Sequence, residues 1–290
     1  MNNKKMSKKA KPDRYSSVWV SHSSMGDFLK CPRAYFLKNI YKDPKTGRKI
    51  GIVNPALTLG VTVHEVVEGL GKYKAEDRAS VPMLKQFEEV WKRFSGKKGG
   101  FMSTEEEETS KQRGISMIEM VREHMGPLLN KTVKLPEGQN GMPPNYYLSE
   151  DENIILCGKI DWLEYLPADD SLHVIDFKTG QNEEKGESLQ LPIYELLLHN
   201  LQKRKVTKAS YWYLDKDTAP KQVNLPNLEE SFERVISTAR KVKEAREKKE
   251  FECPRGEKGC FACAPLEKII KNEAEYVGPG EWQDLYIINS

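Results

Sequence analysis

Asn153-Ile154-Ile155-Leu156-Cys157-Gly158-Lys159-Ile160-Asp161, followed by Val174-Ile175-Asp176-Phe177-Lys178-Thr179-Gly180, decides the reading of this chain. Two β-rich runs, Ile154 to Tyr165 and Leu172 to Phe177, flank the turn-forming cluster Pro167-Ala168-Asp169-Asp170-Ser171. A hairpin centred between Ala168 and Asp169 sets position i opposite position 337 − i, so Asp161 faces Asp176. Facing residues of an antiparallel pair have Cβ atoms roughly 4.5–5.5 Å apart, and like charges there repel. Side chains alternate along a strand, so Lys178 shares the face of Asp176. Two carboxylates and an ammonium then converge, and a divalent cation would turn the repulsion into coordination.

The blander alternative is a solvated hairpin face carrying ordinary charges. The neighbours argue against it. Ile154, Ile155, Leu156, Ile160, Val174, Ile175 and Phe177 form near-continuous apolar runs, the pattern of strands covered on both sides.

At 290 residues the chain can bury one large core or two ordinary ones. Charged residues make up 31%, and no apolar run approaches the ~20 residues of a membrane span. The Lys-rich stretch from Met1 to Arg14 has no apolar centre, which excludes a secretory signal and predicts a disordered basic arm. A net charge of +3 does not by itself indicate nucleic acid; any basic footprint must be local. Five cysteines without an export signal predict a reducing, cytoplasmic compartment.

Ser24-Met25-Gly26-Asp27 reads as a capping-box variant opening a helix, and Pro32 as the first residue of the next. A loop is expected from Tyr41 to Pro55. A helix from Thr58 to Leu70 sets His64 and Glu68 on one face at i and i+4. Helices over Pro82–Phe94 and Thr104–Met125, the second opening on a Thr104-x-x-Glu107 box, form a helical insertion over about residues 75–145. The Ser95–Gly100 loop between them is basic. Tyr146-Tyr147-Leu148 should pair with Ile154-Ile155-Leu156, making a three-stranded meander that ends at Lys178. Ser188 is the expected N-cap of a helix from Leu189 to Lys203, with Gln190 and Tyr194 sharing a face. A strand over Ala209–Leu214 and a charged helix over Leu228–Lys249 complete the main elements.

Cys253, Cys260 and Cys263 crowd a short Gly/Pro loop, and Cys31 joins them if the two ends of the chain meet. Cys157 reads as a small buried filler. Four thiols suit a structural zinc or a [4Fe–4S] cluster, and their spacing does not separate the two.

With these residues in view, the chain resembles the PD-(D/E)XK nuclease superfamily, in particular its RecB-like branch, and is similar to the AddB nuclease domain and CRISPR-associated adaptation nucleases. The matching text is Gly60-x-x-x-His64-x-x-x-Glu68, Gly158-x-Ile160-Asp161, Val174 to Gly180, and Gln190-x-x-x-Tyr194, in that order. Ser21-x-Ser23 through Cys31-Pro32-x-x-Tyr35 resembles the opening of members that carry an iron–sulfur cluster. The resemblance implies an α/β fold: a central mixed β-sheet flanked by helices, the restriction-endonuclease-like core, within a domain over 15–290. One N-terminal and three C-terminal cysteines imply a [4Fe–4S] cluster on Cys31, Cys253, Cys260 and Cys263. The order departs from those relatives, since the lone Cys253 precedes the close pair.

The same resemblance implies a metal-dependent deoxyribonuclease. Asp161, Asp176, His64 and the Phe177 carbonyl would hold Mg²⁺ or Mn²⁺, and Lys178 would act on the attacking water or on the developing charge. Glu68 would orient His64, and Gln190 and Tyr194 would steady the DNA. Expected substrates are single-stranded DNA or duplex ends, cut in exonuclease mode. Repair, recombination and CRISPR adaptation are the settings implied, with a helicase or an adaptation protein as partner and no membrane. The rival expectation is an idle DNA-binding scaffold whose metal cluster is structural. A third is a phosphohydrolase acting on RNA or small molecules.

Overall fold

The computed structural model describes residues 14–184, 186 and 188–288. The basic arm, apart from Arg14, lies outside the described residues. In chain order the strands and α-helices are β1 (Val18–Val20), α1 (His22–Lys30), α2 (Pro32–Asn39), β2 (Lys49–Ile52), α3 (Pro55–Gly69), α4 (Met83–Trp91) and α5 (Thr104–Glu123). There follow β3 (Asn145–Ser149), β4 (Ile154–Cys157), β5 (Trp162–Leu166), β6 (Ser171–Lys178), α6 (Gln190–Leu201), β7 (Val206–Tyr213) and β8 (Lys221–Val223). The last are α7 (Leu228–Lys248), α8 (Ala264–Ile270), β9 (Glu275–Pro279) and β10 (Gln283–Ile287).

The largest sheet has the order β5-β6-β7-β8 and is mixed: β5 and β6 are antiparallel, β6 and β7 parallel, β7 and β8 antiparallel. Trp162 pairs with Ile175 and Leu163 with Val174, which is the expected hairpin register. Helix α6 makes the crossover between the parallel strands β6 and β7. Both faces are covered, as the continuous apolar runs required. Leu172, Val174 and Ala209 pack with α6, α7 and residues of β1 and β4. Ile175, Phe177 and Trp212 pack with residues of α3, α4 and α5. The helices of the 75–145 stretch therefore contribute to one of the two main cores. Arg78, 3% exposed, ties this stretch down by donating to the carbonyls of Leu70, Leu128 and Asn130.

Several expectations need correction. Ile154 to Tyr165 is two strands, broken at Gly158–Asp161, and the meander is split between two sheets: β4 pairs with β3 and β1, apart from β5 and β6. A Cβ on Gly158 would lie 2.9 Å from Leu197 Cδ1, so the glycine lets the chain bend close against α6. Ser21, not Ser24, caps α1; Ser24 is the N3 partner that completes the capping box. Helix α5 is capped by Ser103, one residue before the expected Thr104. The 41–55 loop contains β2, which pairs in parallel with β10. Strands β8, β9 and β10 and helix α8 were not expected; they are short, and none carries a long periodic signal. No helix among the described residues is long and apolar enough to cross a membrane.

Candidate active site and cysteine cage

The end of the β5–β6 hairpin lies where a helix from each face of the sheet reaches it. Helix α3 brings His64 and Glu68, and α6 brings Gln190 and Tyr194. A glycine makes the first approach close: a Cβ on Gly60 would sit 3.3 Å from Thr179 Oγ1.

Asp161 stands one residue before β5, and its Oδ2 accepts the Phe177 amide at 2.9 Å. His64 Nδ1 is 3.0 Å from Glu68 Oε1 and 3.6 Å from Asp161 Oδ2. Lys159 closes the other side of Glu68, with Nζ 2.5 Å from Oε2. One ligand atom from each of His64, Glu68 and Asp161 lies within 4.8 Å of the others.

Asp176 is 1% exposed. Its Oδ1 accepts from Gln190 Nε2 at 2.5 Å and from the Tyr194 hydroxyl at 2.8 Å. Lys178 Nζ lies 2.8 Å from Asp176 Oδ2, close enough to pair but off the hydrogen-bonding direction, so that buried oxygen has no hydrogen bond. Gln190 Oε1 in turn accepts from Lys178 Nζ at 2.5 Å. The single Gln190 amide thus bridges the acid and the ammonium. Gln190 and Tyr194 are both buried, with their polar ends turned to Asp176. The Phe177 side chain is core, its ring 6.2 Å from that of His64 and 6.1 Å from that of Trp212.

The charges perturb one another. Burial, and then the nearby Asp176 carboxylate, push the Asp161 carboxyl up to about 7. Burial opposes the charged form of His64, but Glu68 and Asp161 outweigh it and raise the imidazole above its ordinary value. Burial would raise Glu68, yet His64 and Lys159 hold it below the usual range. Lys178 resists burial through Asp176 and Glu184 and stays above the ordinary lysine value. Tyr194 is driven well upward by burial and by Asp176. Two carboxylates close enough to perturb each other, with the His64 imidazole beside Asp161, suit a hard divalent cation with oxygen ligands.

Three neighbours carried no signal in the sequence. Glu184 pairs with Lys178 at 3.4 Å. Arg113, on the polar face of α5, donates to the Thr179 carbonyl at 2.9 Å and grips Asp215. Tyr211 lies under the Lys178 ammonium, 5.0 Å from ring centroid to Nζ. Beside the site opens a cleft of about 350 Å³ lined by Glu68, Asp161, Lys159, Lys72 and Lys134.

In a separate hydrophobic cluster Cys31, Cys253, Cys260 and Cys263 meet, their sulfurs all within 4.8 Å of one another. All four are buried among Ala34, Leu37, Ile50 and Leu266. The Cys260 amide donates to Cys263 Sγ at 3.2 Å, and the Arg255 amide to Cys253 Sγ at 3.4 Å. Burial pushes the Cys31 thiol up to about 12. At Cys260 burial acts the same way but is outweighed by the Ala262 and Cys263 amides, which pull the thiol down to about 7. The Cys260 and Cys263 sulfurs are 3.8 Å apart. That matches the edge of a tetrahedron with Zn–S bonds of about 2.3 Å. A cubane cluster binds each thiolate through a different iron, so it would need these sulfurs to swing outward. Cys157 stands apart, its thiol directed to the Val20 carbonyl.

Matched against known families, residues 19–265 fit the model for the PD-(D/E)XK nuclease superfamily, a span that runs from β1 into α8 and holds every residue of both sites. No curated protein matches the chain.

Proposed function

The chain belongs to the PD-(D/E)XK nuclease superfamily, and on that premise we propose that it is a Mg²⁺- or Mn²⁺-dependent deoxyribonuclease of the RecB-like branch, acting on single-stranded DNA or duplex ends. The observation that carries the reading is the set Asp161, Asp176 and Lys178, gathered at one end of a hairpin, the carboxylates accepting from Phe177, Gln190 and Tyr194 and the ammonium donating to Gln190. Asp161, Asp176, His64 and the Phe177 carbonyl would hold the ion. When bound, such an ion supplies a positive charge at the scissile phosphate and makes water more acidic.

The side chains do the rest. In the metal-free fold Asp176 and Glu184 hold the Lys178 ammonium charged; beside a bound ion it would orient or deprotonate the attacking water, or neutralise charge building on the phosphate oxygens. Gln190 fixes the distance between that ammonium and Asp176. Glu68 holds His64 through Nδ1, leaving the Nε2 lone pair free to ligate the ion. Incubating purified full-length protein with single-stranded and duplex DNA, with Mg²⁺, with Mn²⁺ and with chelator, tests the reading. Metal-dependent cleavage that disappears in Lys178→Ala is expected. No cleavage of any DNA form with either metal would reject it and leave the idle scaffold.

For the cysteine cage two readings have separate support. The one-plus-three cysteine layout favours a [4Fe–4S] cluster, and the 3.8 Å sulfur spacing favours a single zinc ion. Metal analysis together with the visible spectrum separates them: brown protein with four irons, or colourless protein with one zinc.

A further inference from the structure

Helix α3 presents more than His64 to the site. On a 3.6-residue helix Leu57, Val61, His64 and Glu68 fall on one stripe, and the step from Val61 to His64 is a rise of only ~4.5 Å. The opposite face of α3, with Leu59, Val63, Val66 and Val67, is buried in the core. Leu57 and Val61 are instead 54% and 49% exposed. Scattered exposed aliphatic residues are ordinary on a protein surface. These two are a pair, one and two turns from a candidate metal ligand.

A basic loop lies beside them. The Thr58 hydroxyl donates to the Gly99 carbonyl at 2.9 Å, which fastens the Lys97-Lys98 loop to the first turn of α3. Lys97 is paired with Glu275, whereas Lys98 is exposed and has no ion-pair partner among the described residues. An apolar strip running to the candidate metal site, with an ammonium on the loop fastened to its first turn, complements an unpaired nucleotide, which offers an apolar base face and a phosphate.

Resting on the nuclease reading above, we propose that Leu57 and Val61 form a subsite for the bases of a DNA single strand whose phosphate is delivered to the His64–Asp161 site. In a duplex the base faces are stacked and hidden, and phosphates would be laid against two aliphatic side chains, which gains nothing. An unpaired strand can turn a base flat onto them, as apolar side chains do when they wedge or clasp unstacked bases. The subsite therefore selects single strands and frayed ends over closed duplex.

The test is the double variant Leu57→Ser/Val61→Ser in the full chain, both positions being exposed enough for the fold to tolerate. Binding of a fluorescent single-stranded oligonucleotide, and of the same sequence as a hairpin-closed duplex, is measured by anisotropy with Ca²⁺ in place of Mg²⁺. The single-strand affinity should fall about tenfold and the duplex affinity should hardly move. On cleaved single strands the loss should fall on KM rather than kcat. Unchanged single-strand affinity, or an equal fall for both forms, would overturn the proposal. So would a change in oligomeric state by light scattering without a change in DNA affinity, which would make the strip a contact between copies. Absence of cleavage by the unaltered protein would reject the nuclease reading, and the binding measurement would still judge the subsite.

Discussion

The Tyr194 hydroxyl donates to Asp176 Oδ1 across 2.8 Å, from a ring only 5% exposed to a carboxylate only 1% exposed. Carboxylates are seldom buried so completely, and this one is tolerable because Gln190 shares the same oxygen and Lys178 stands beside the other. The helix that crosses from β6 to β7 is therefore also the support for the acid at the end of β6.

Tyr194→Phe removes one hydrogen bond to a buried charge while keeping the ring. It should cost about 1.5–3 kcal/mol of stability. Urea titration followed by circular dichroism would read this as a lower midpoint at unchanged slope. An unaltered midpoint would show that the hydroxyl does not support Asp176.

Lys178→Ala should separate two roles of the ammonium. Cleavage should fall by about 10²–10³-fold or more, as for loss of a preorganised donor to developing charge. The metal-free protein should also weaken, by about 3 kcal/mol, because Asp176 loses its cationic partner. Added Mn²⁺ should recover part of that stability in a thermal melt. A variant that cleaves DNA at the original rate would end the assigned role.

Metal and pH are linked through Asp161. Burial and the Asp176 carboxylate push its carboxyl up to about 7 in the metal-free fold, against the ordinary acidic range when unfolded. The folded group is the one that keeps its proton, so this contribution favours the metal-free fold at low pH and is lost as pH rises through 7. His64, raised above its ordinary value, acts in the same direction: its contribution is full below about 6.5 and vanishes above the folded value. A divalent ion replaces that proton. The rise in melting temperature on adding Mg²⁺ should therefore grow from about pH 6 to about pH 8, by scanning calorimetry. A rise that shrinks over this window would contradict the assignment.

The cysteine cage joins α2 to the loop before α8, so it closes a loop of most of the chain. Cys31→Ser and Cys260→Ser should lose bound metal and melt at markedly lower temperature. Cys157→Ser, outside the cage, should keep its full metal content. Equal metal content in all three variants would show that the four sulfurs do not hold it.

Much of the fold was legible because one element carried a local code. The Pro167–Ser171 turn fixes the hairpin, and a two-residue period then fixes every partner up to Ile175 opposite Trp162. The break at Gly158 was not legible, since an isolated glycine in an apolar run reads equally as strand or bend; only the approach of Leu197 decides. The pattern that links Gln190 and Tyr194 placed both on one face of α6, but their burial against Asp176 depends on how deeply that helix docks. Arg113 and the exposed strip of Leu57 and Val61 had no local signature. Their positions follow from packing between segments far apart in sequence.

The pairing of β2 with β10 sets an order of events during synthesis. Strand β2 is made early and waits, with one edge bare, until the distant β10 has been made. At ~5–20 residues per second, that wait is many seconds. The same is true of Cys31, whose three partners lie far along the chain, just before α8. A nascent chain can thus form the Asp161–Asp176 hairpin before β10 and three of the four cage cysteines exist. The local hairpin comes first, and the pairings between distant segments follow it.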